Sequence, residues 1–126
     1  MSRFPEGYYG CRFSYDGGLP PQPFAIITAW NPMDEPWSHR MNRAADLRLQ
    51  RLIDRKFLTR RRTECSASDG SHREAGWAIG CDRRLALAIG RRFKQRAVWW
   101  IESDQLQLVA CKDGHAETVA NWPPRR

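Results

Sequence analysis

Four polar residues, Asn31, Asn42, Glu74 and Gln95, occupy positions where an unpaired polar group is costly. Asn31 ends a continuous apolar run, and Asn42 falls on the apolar face of a helical pattern. Glu74 opens a short strand pattern, and Gln95 follows a second helical pattern. Burying an unpaired amide costs about 1–3 kcal/mol, so such groups must satisfy one another or a ligand. Gathered around a pocket, they would suit a small enzyme or a nucleotide- or metabolite-binding protein, with Glu74 as the only evident general acid or base. They also suit a purely structural network, which is the commoner use of buried polar groups. Asn31 before Pro32 is an ordinary turn residue, Asn42 can tie down a neighbouring loop, and Gln95 can close a helix end.

A second chemistry lies in the arginines. Arg40, Arg48, Arg51 and Arg55 fall within about 80° of arc at 100° per residue, and Arg60, Arg61 and Arg62 follow where that helix ends. The net charge is +7, and its distribution is uneven: residues 37–100 hold 16 basic and 6 acidic residues, whereas both ends are slightly acidic. Such a block favours nucleic acid or another polyanion. Of 21 basic residues 18 are Arg, which grips phosphate bidentately and stacks on bases. Trp37, Trp77 and Trp100 would supply stacking surfaces beside it. The competing explanations are codon bias and a solvated helix face on which Asp46, Asp54 and Glu64 pair with some of these Arg.

Other chemistries find little support. The four Cys, at 11, 65, 81 and 111, form no close pair, and Cys65, His72 and Cys81 match no structural zinc spacing. Phosphate-loop, dinucleotide-binding, nucleophile-elbow and zinc-protease motifs are absent, and no cofactor is implied. The longest apolar run, Phe24 to Trp30, is too short to span a membrane, and the N-terminus lacks a secretory pattern. A cytoplasmic protein with reduced thiols is therefore expected. With 126 residues, 41% hydrophobic and 28% charged, the composition is that of one globular domain.

The elements that must position these residues follow from periodicity. Tyr8 to Phe13 reads as a first strand. Phe24 to Trp30, continuous and rich in β-branched residues, reads as an interior strand ended by Asn31-Pro32. Ser38 can cap a helix running to about Phe57, with Met41, Ala45, Leu49, Leu52 and Ile53 on one arc and Asn42 inside it. Arg60 to Arg73 reads as a polar loop. Glu74 to Ile79 is a short strand, and Asp82 can cap a second helix, Arg83 to about Phe93, weakened by Gly90. Ala97–Glu102 and Gln105–Cys111 form a hairpin opposing Ile101 with Leu106, Trp99 with Leu108 and Ala97 with Ala110. Its other face, with Val98, Trp100, Glu102, Gln105, Gln107 and Val109, is mixed and expected to be partly exposed, and residues 112–126 to form a loosely attached tail.

The run Phe24-Ala25-Ile26-Ile27-Thr28-Ala29-Trp30-Asn31-Pro32 resembles the signature of a small bacterial family, domain of unknown function 3293. The helix bearing Asn42, Glu74 ahead of a short strand, and Phe93, Gln95, Ala97 and Val98 in a closing strand extend the resemblance over about residues 8–111. The family pattern implies a Gly between the Phe and the Gln, where this chain has Lys94, so the backbone of that turn is expected to differ. The resemblance implies no activity.

The expected fold is α+β, a single domain over 1–126 with a mainly antiparallel sheet of four to five strands and two helices packed on it. The first functional reading is a binding module for nucleic acid or another polyanion through the Arg-rich block 40–62. The alternatives are a polar ligand or catalytic site at Asn31, Asn42, Glu74 and Gln95, and a protein-interaction domain using the outer hairpin face.

Overall fold

The computed structural model describes residues 4–67 and 72–123. Ser68 to Ser71, within the expected polar loop, and the last three residues of the tail lie outside the described residues. Two helices pack on one sheet, giving a single α+β domain. The strands are β1 (Arg12–Tyr15), β2 (Phe24–Ile27), β3 (Arg60–Ser66), β4 (Arg73–Ile79), β5 (Ala97–Glu102), β6 (Gln105–Ala110) and β7 (Ala116–Asn121). The helices are α1 (His39–Arg55) and α2 (Arg83–Arg92). The sheet order is β1-β3-β4-β2-β5-β6-β7, with every neighbouring pair antiparallel.

The sheet has seven strands, not the four or five expected, because two strands carry little apolar alternation. β3 begins Arg60-Arg61-Arg62, which reads as loop. Pairing with β4 holds it instead, and Arg60 and Arg62 lie over the Trp77 ring, 4.5 and 3.7 Å from its centroid. There the long side chains cover apolar surface while keeping their charged heads accessible. β7 lies in the expected tail, yet it pairs with β6 across a bulge between Leu106 and Gln107. The first strand also sits later than expected, at Arg12–Tyr15, after a short 3₁₀ turn at Glu6–Tyr8.

Elsewhere local signals decide the elements. Ser38 caps α1 by accepting from the Met41 N–H, and Asp82 caps α2 by accepting from the Leu85 N–H. All four residues of β2 are buried, as befits a strand between β4 and β5. The β5–β6 hairpin has the expected register, and Ser103 and Asp104 both take positive φ (52° and 59°), the conformation of a type I′ turn. Among the described residues, no helix is long and apolar enough to cross a membrane.

The two faces of the sheet carry separate cores. On one, Ala25, Ile27, Val98, Trp100 and Val109 pack under α1 and α2. The hairpin face expected to be partly exposed is divided: Val98, Trp100 and Val109 are buried beneath the helices, whereas Glu102 and Gln105 are exposed and Gln107 is half-buried. On the other, Phe24, Ile26, Trp99, Ile101 and Leu108 form the floor of a concavity. The sheet curls around that side until its two edges meet. The Tyr9 hydroxyl donates to Glu117 Oε2 at 2.9 Å, and the Phe13 and Trp122 rings lie edge to face with centroids 5.5 Å apart. The result is a half-barrel with helices outside and an aromatic seam closing the open side.

Gly90 has a packing reason that propensity hides. A Cβ there would lie 2.5 Å from Cys111 Sγ and 2.8 Å from Val98 Cγ1, so its absence lets α2 sit directly on the sheet. Helix propensity alone would make Gly90→Ala stabilising by roughly 1 kcal/mol. We expect the opposite, a loss of about 1–3 kcal/mol from overpacking, read as an earlier urea midpoint at unchanged slope. A later midpoint would show that the helix can back away without cost.

Candidate functional site

The concave face ends in a polar mouth built at the point where β2 gives way to a loop. Thr28 Oγ1 donates to the Ala75 carbonyl at 2.8 Å and accepts from the Trp30 N–H at 3.1 Å, turning the chain out of the sheet. Asn31 then takes the left-handed conformation (φ 47°), and Met33 and Asp34 also have positive φ. Asn tolerates this region better than most residues, whereas Met does not, so the loop needs external ties. The Met33 N–H donates to the Lys94 carbonyl (2.8 Å), and Asp34 accepts from Arg96 Nε (2.6 Å) and from the Tyr8 hydroxyl (2.8 Å). Lys94 itself has φ 55°, the left-handed backbone that a glycine adopts without strain.

The four polar residues converge here. Asn42 Oδ1 accepts from the Asn31 N–H (2.9 Å), and its Nδ2 donates to Asn31 Oδ1 (3.0 Å) and to the Trp37 carbonyl (3.3 Å). Asn31 Nδ2 donates to Glu74 Oε2 (3.1 Å). Gln95 Nε2 donates to the carbonyls of Trp30 (3.1 Å) and Phe93 (3.3 Å), joining the same loop from the other side. The roles differ, however. Asn31, Glu74 and Gln95 line a cavity of about 300 Å³, while Asn42 stands behind Asn31 and does not reach it.

Several lining residues had no signal of their own. His72 Nε2 lies 2.8 Å from Glu74 Oε2, which orients the carboxylate. Tyr8, Ile26, Trp30 and Trp99 supply apolar wall. Burial and the Asp34 carboxylate push the Tyr8 phenol well above its ordinary value. Cys11 and Cys65, 54 positions apart, meet because β1 pairs with β3 in a register that sets Phe13 opposite Cys65. The neighbouring Cys65 thiol lowers the Cys11 pKa, whereas Cys11 and burial raise that of Cys65. Reading β3 as a strand would have placed Thr63 and Cys65 on the inner face by alternation. Cys81 packs on the helix side, away from Cys65. Among the described residues, no three His, Cys, Asp or Glu side chains gather as a metal-binding set.

The basic block divides. Arg60 binds Asp54 (2.7 Å) and Arg62 binds Asp46 through two bonds of 2.9 and 2.7 Å, so both serve the join between β3 and α1. Arg61 is exposed on β3 and Arg40 is exposed at the start of α1. Arg48, Arg51 and Arg55 instead line a cleft of about 440 Å³ together with Arg92 and Lys94 at the end of α2, which sequence spacing did not connect to them. Trp37, Leu52 and Phe93 form its apolar floor, and no Asp or Glu lines it. Among the described residues, none of these five cations forms an ion pair.

The comparisons follow the same stretch of chain. No curated protein and no solved structure matches it. Residues 27–98, from the end of β2 through both helices into β5, match the family model described as protein of unknown function (DUF3293). That match covers more than half of the sequence and contains Asn31, Asn42, Glu74 and Gln95 as well as the five cations of the cleft. The chain therefore belongs to the DUF3293 family.

Proposed function

We propose that this protein binds the sugar-phosphate backbone of single-stranded nucleic acid in the cleft between α1 and α2. The observation that carries this reading is a set of five cations, Arg48, Arg51, Arg55, Arg92 and Lys94, that form no ion pair among the described residues and surround one cleft without a carboxylate in its lining. Cations crowded without counter-charges repel one another, and a polyanion relieves that repulsion. The partly exposed rings of Trp37 and Phe93 beside them suit stacking by unpaired bases. Arg60 and Arg62, already held by Asp54 and Asp46, are not needed.

The test is a fluorescence-anisotropy titration with a short single-stranded oligonucleotide. If about four phosphates are neutralised, affinity should fall roughly fiftyfold between about 50 and 200 mM salt. The triple variant Arg48→Gln, Arg51→Gln, Arg55→Gln should reduce the logarithmic salt slope by about 2. Arg60→Gln should leave affinity unchanged. Undetectable binding at low salt, or equal losses from Arg60→Gln and from cleft substitutions, would refute the reading.

A further inference from the structure

We propose that the concave cavity is a binding site for an uncharged, amino-substituted nitrogen heterocycle of about nucleobase size, separate from the polyanion cleft and independent of it. About 300 Å³ sits at the small end of ligand pockets, roughly 300–1,000 Å³, and accommodates one or two fused rings. The lining residues Tyr8, Trp30 and Trp99 are aromatic, and such walls suit a flat molecule. The charges select against anions: the lining holds two carboxylates, Asp34 and Glu74, and no Lys or Arg. A phosphate that suits the outer cleft is therefore repelled here.

The hydrogen-bonding groups define the ligand's edge. Trp30 Nε1 and Thr63 Oγ1 are buried, belong to lining residues, and have no partner among the described residues. Thr63 is only 2% exposed, and among the described residues its hydroxyl meets no partner. A buried donor left unmatched costs about 1–3 kcal/mol, which a ligand acceptor recovers. On the opposite count, Glu74 Oε2 is taken by Asn31 and His72, and among the described residues Oε1 accepts no bond. A carboxylate oxygen held in this way accepts an amino or ring N–H. An acceptor for Trp30 and Thr63 and a donor for Glu74 are both carried by an aminopyrimidine or aminopurine. Asp34 does not compete for that edge, because Tyr8 and Arg96 already occupy both of its oxygens.

Isothermal titration calorimetry with adenine and with cytosine tests this on the full chain. At least one should bind with a dissociation constant below about 1 mM. Glu74→Gln should weaken it by about tenfold or more, since its amide cannot accept from the amino group while keeping both present partners. Thr63→Val keeps the shape and removes only the hydroxyl, and gives the same reading if Glu74→Gln does not fold. Arg51→Gln should bind the base as the parent does, which separates failure here from failure of the polyanion reading. Absence of binding by both bases, or affinity unchanged in the folded Glu74→Gln or Thr63→Val variant, overturns the proposal.

Discussion

Trp122→Ala is expected to lower stability by about 3–5 kcal/mol, the range for removing a buried Trp. Its ring lies 5.5 Å from Phe13, 6.4 Å from Tyr15 and 5.9 Å from Phe24, centroid to centroid, so it touches β1 and β2 from beyond the end of β7. Its backbone N–H, which alanine keeps, donates to the Asp104 carbonyl at 2.8 Å and anchors the segment to the hairpin turn. Removing the ring opens the seam between the two sheet edges and leaves Phe13, among the described residues, with Trp99 as its remaining ring partner. For a domain of this size the loss corresponds to a fall in Tm of roughly 10–20 °C. Differential scanning calorimetry decides the matter. A fall of only a few degrees would mean that residues beyond β7 are dispensable and that the seam does not hold the curl.

The second large effect is expected at Asn42. Asn42→Ala should cost about 2–3 kcal/mol, because it removes a buried amide, strands the part-buried Asn31 N–H and Trp37 carbonyl, and leaves a small void. Asn42→Asp should be comparably harmful. It keeps the acceptor for Asn31 but turns a carboxylate oxygen toward Asn31 Oδ1 and the Trp37 carbonyl, both acceptors. Glu74→Gln, at a residue whose side chain is 20% exposed, should cost under about 1 kcal/mol, since a single amide oxygen can still accept from Asn31. Urea unfolding of the three variants checks the ranking. Asn42→Ala at parental stability would argue that the Asn31 loop is held by Lys94, Tyr8 and Arg96 alone.

These two residues also mark how differently the chain discloses its parts. Asn42 was legible because an amide on the arc of Leu49 and Ile53 must be paired, and the loop after β2 was the nearest source of partners. Trp122 was not, because its partners in β1 and β2 lie about a hundred residues earlier and nothing local in the tail announces them. The same divide runs through the sites. Helical angle joined Arg48, Arg51 and Arg55, but Arg92 and Lys94 join them only through the packing of α2 beside α1. Spacing also grouped Arg60 and Arg62 with the cations, whereas Asp54, Asp46 and the Trp77 ring claim them in the folded chain.

By itself the sequence determined what depends on neighbours a few positions apart: the caps at Ser38 and Asp82, the interior strand at Phe24, the hairpin register around Ser103-Asp104, and the need of Asn31, Asn42, Glu74 and Gln95 for partners. Periodicity, capping and burial cost are local quantities, readable along the chain. Only the tertiary structure decided that Arg60–Ser66 and Ala116–Asn121 are strands, that the sheet curls into a half-barrel, and that Cys11, Thr63 and His72 share a cavity with Glu74. Those outcomes rest on pairing with distant segments, and a strand's backbone bonds to a neighbour irrespective of how polar its side chains are.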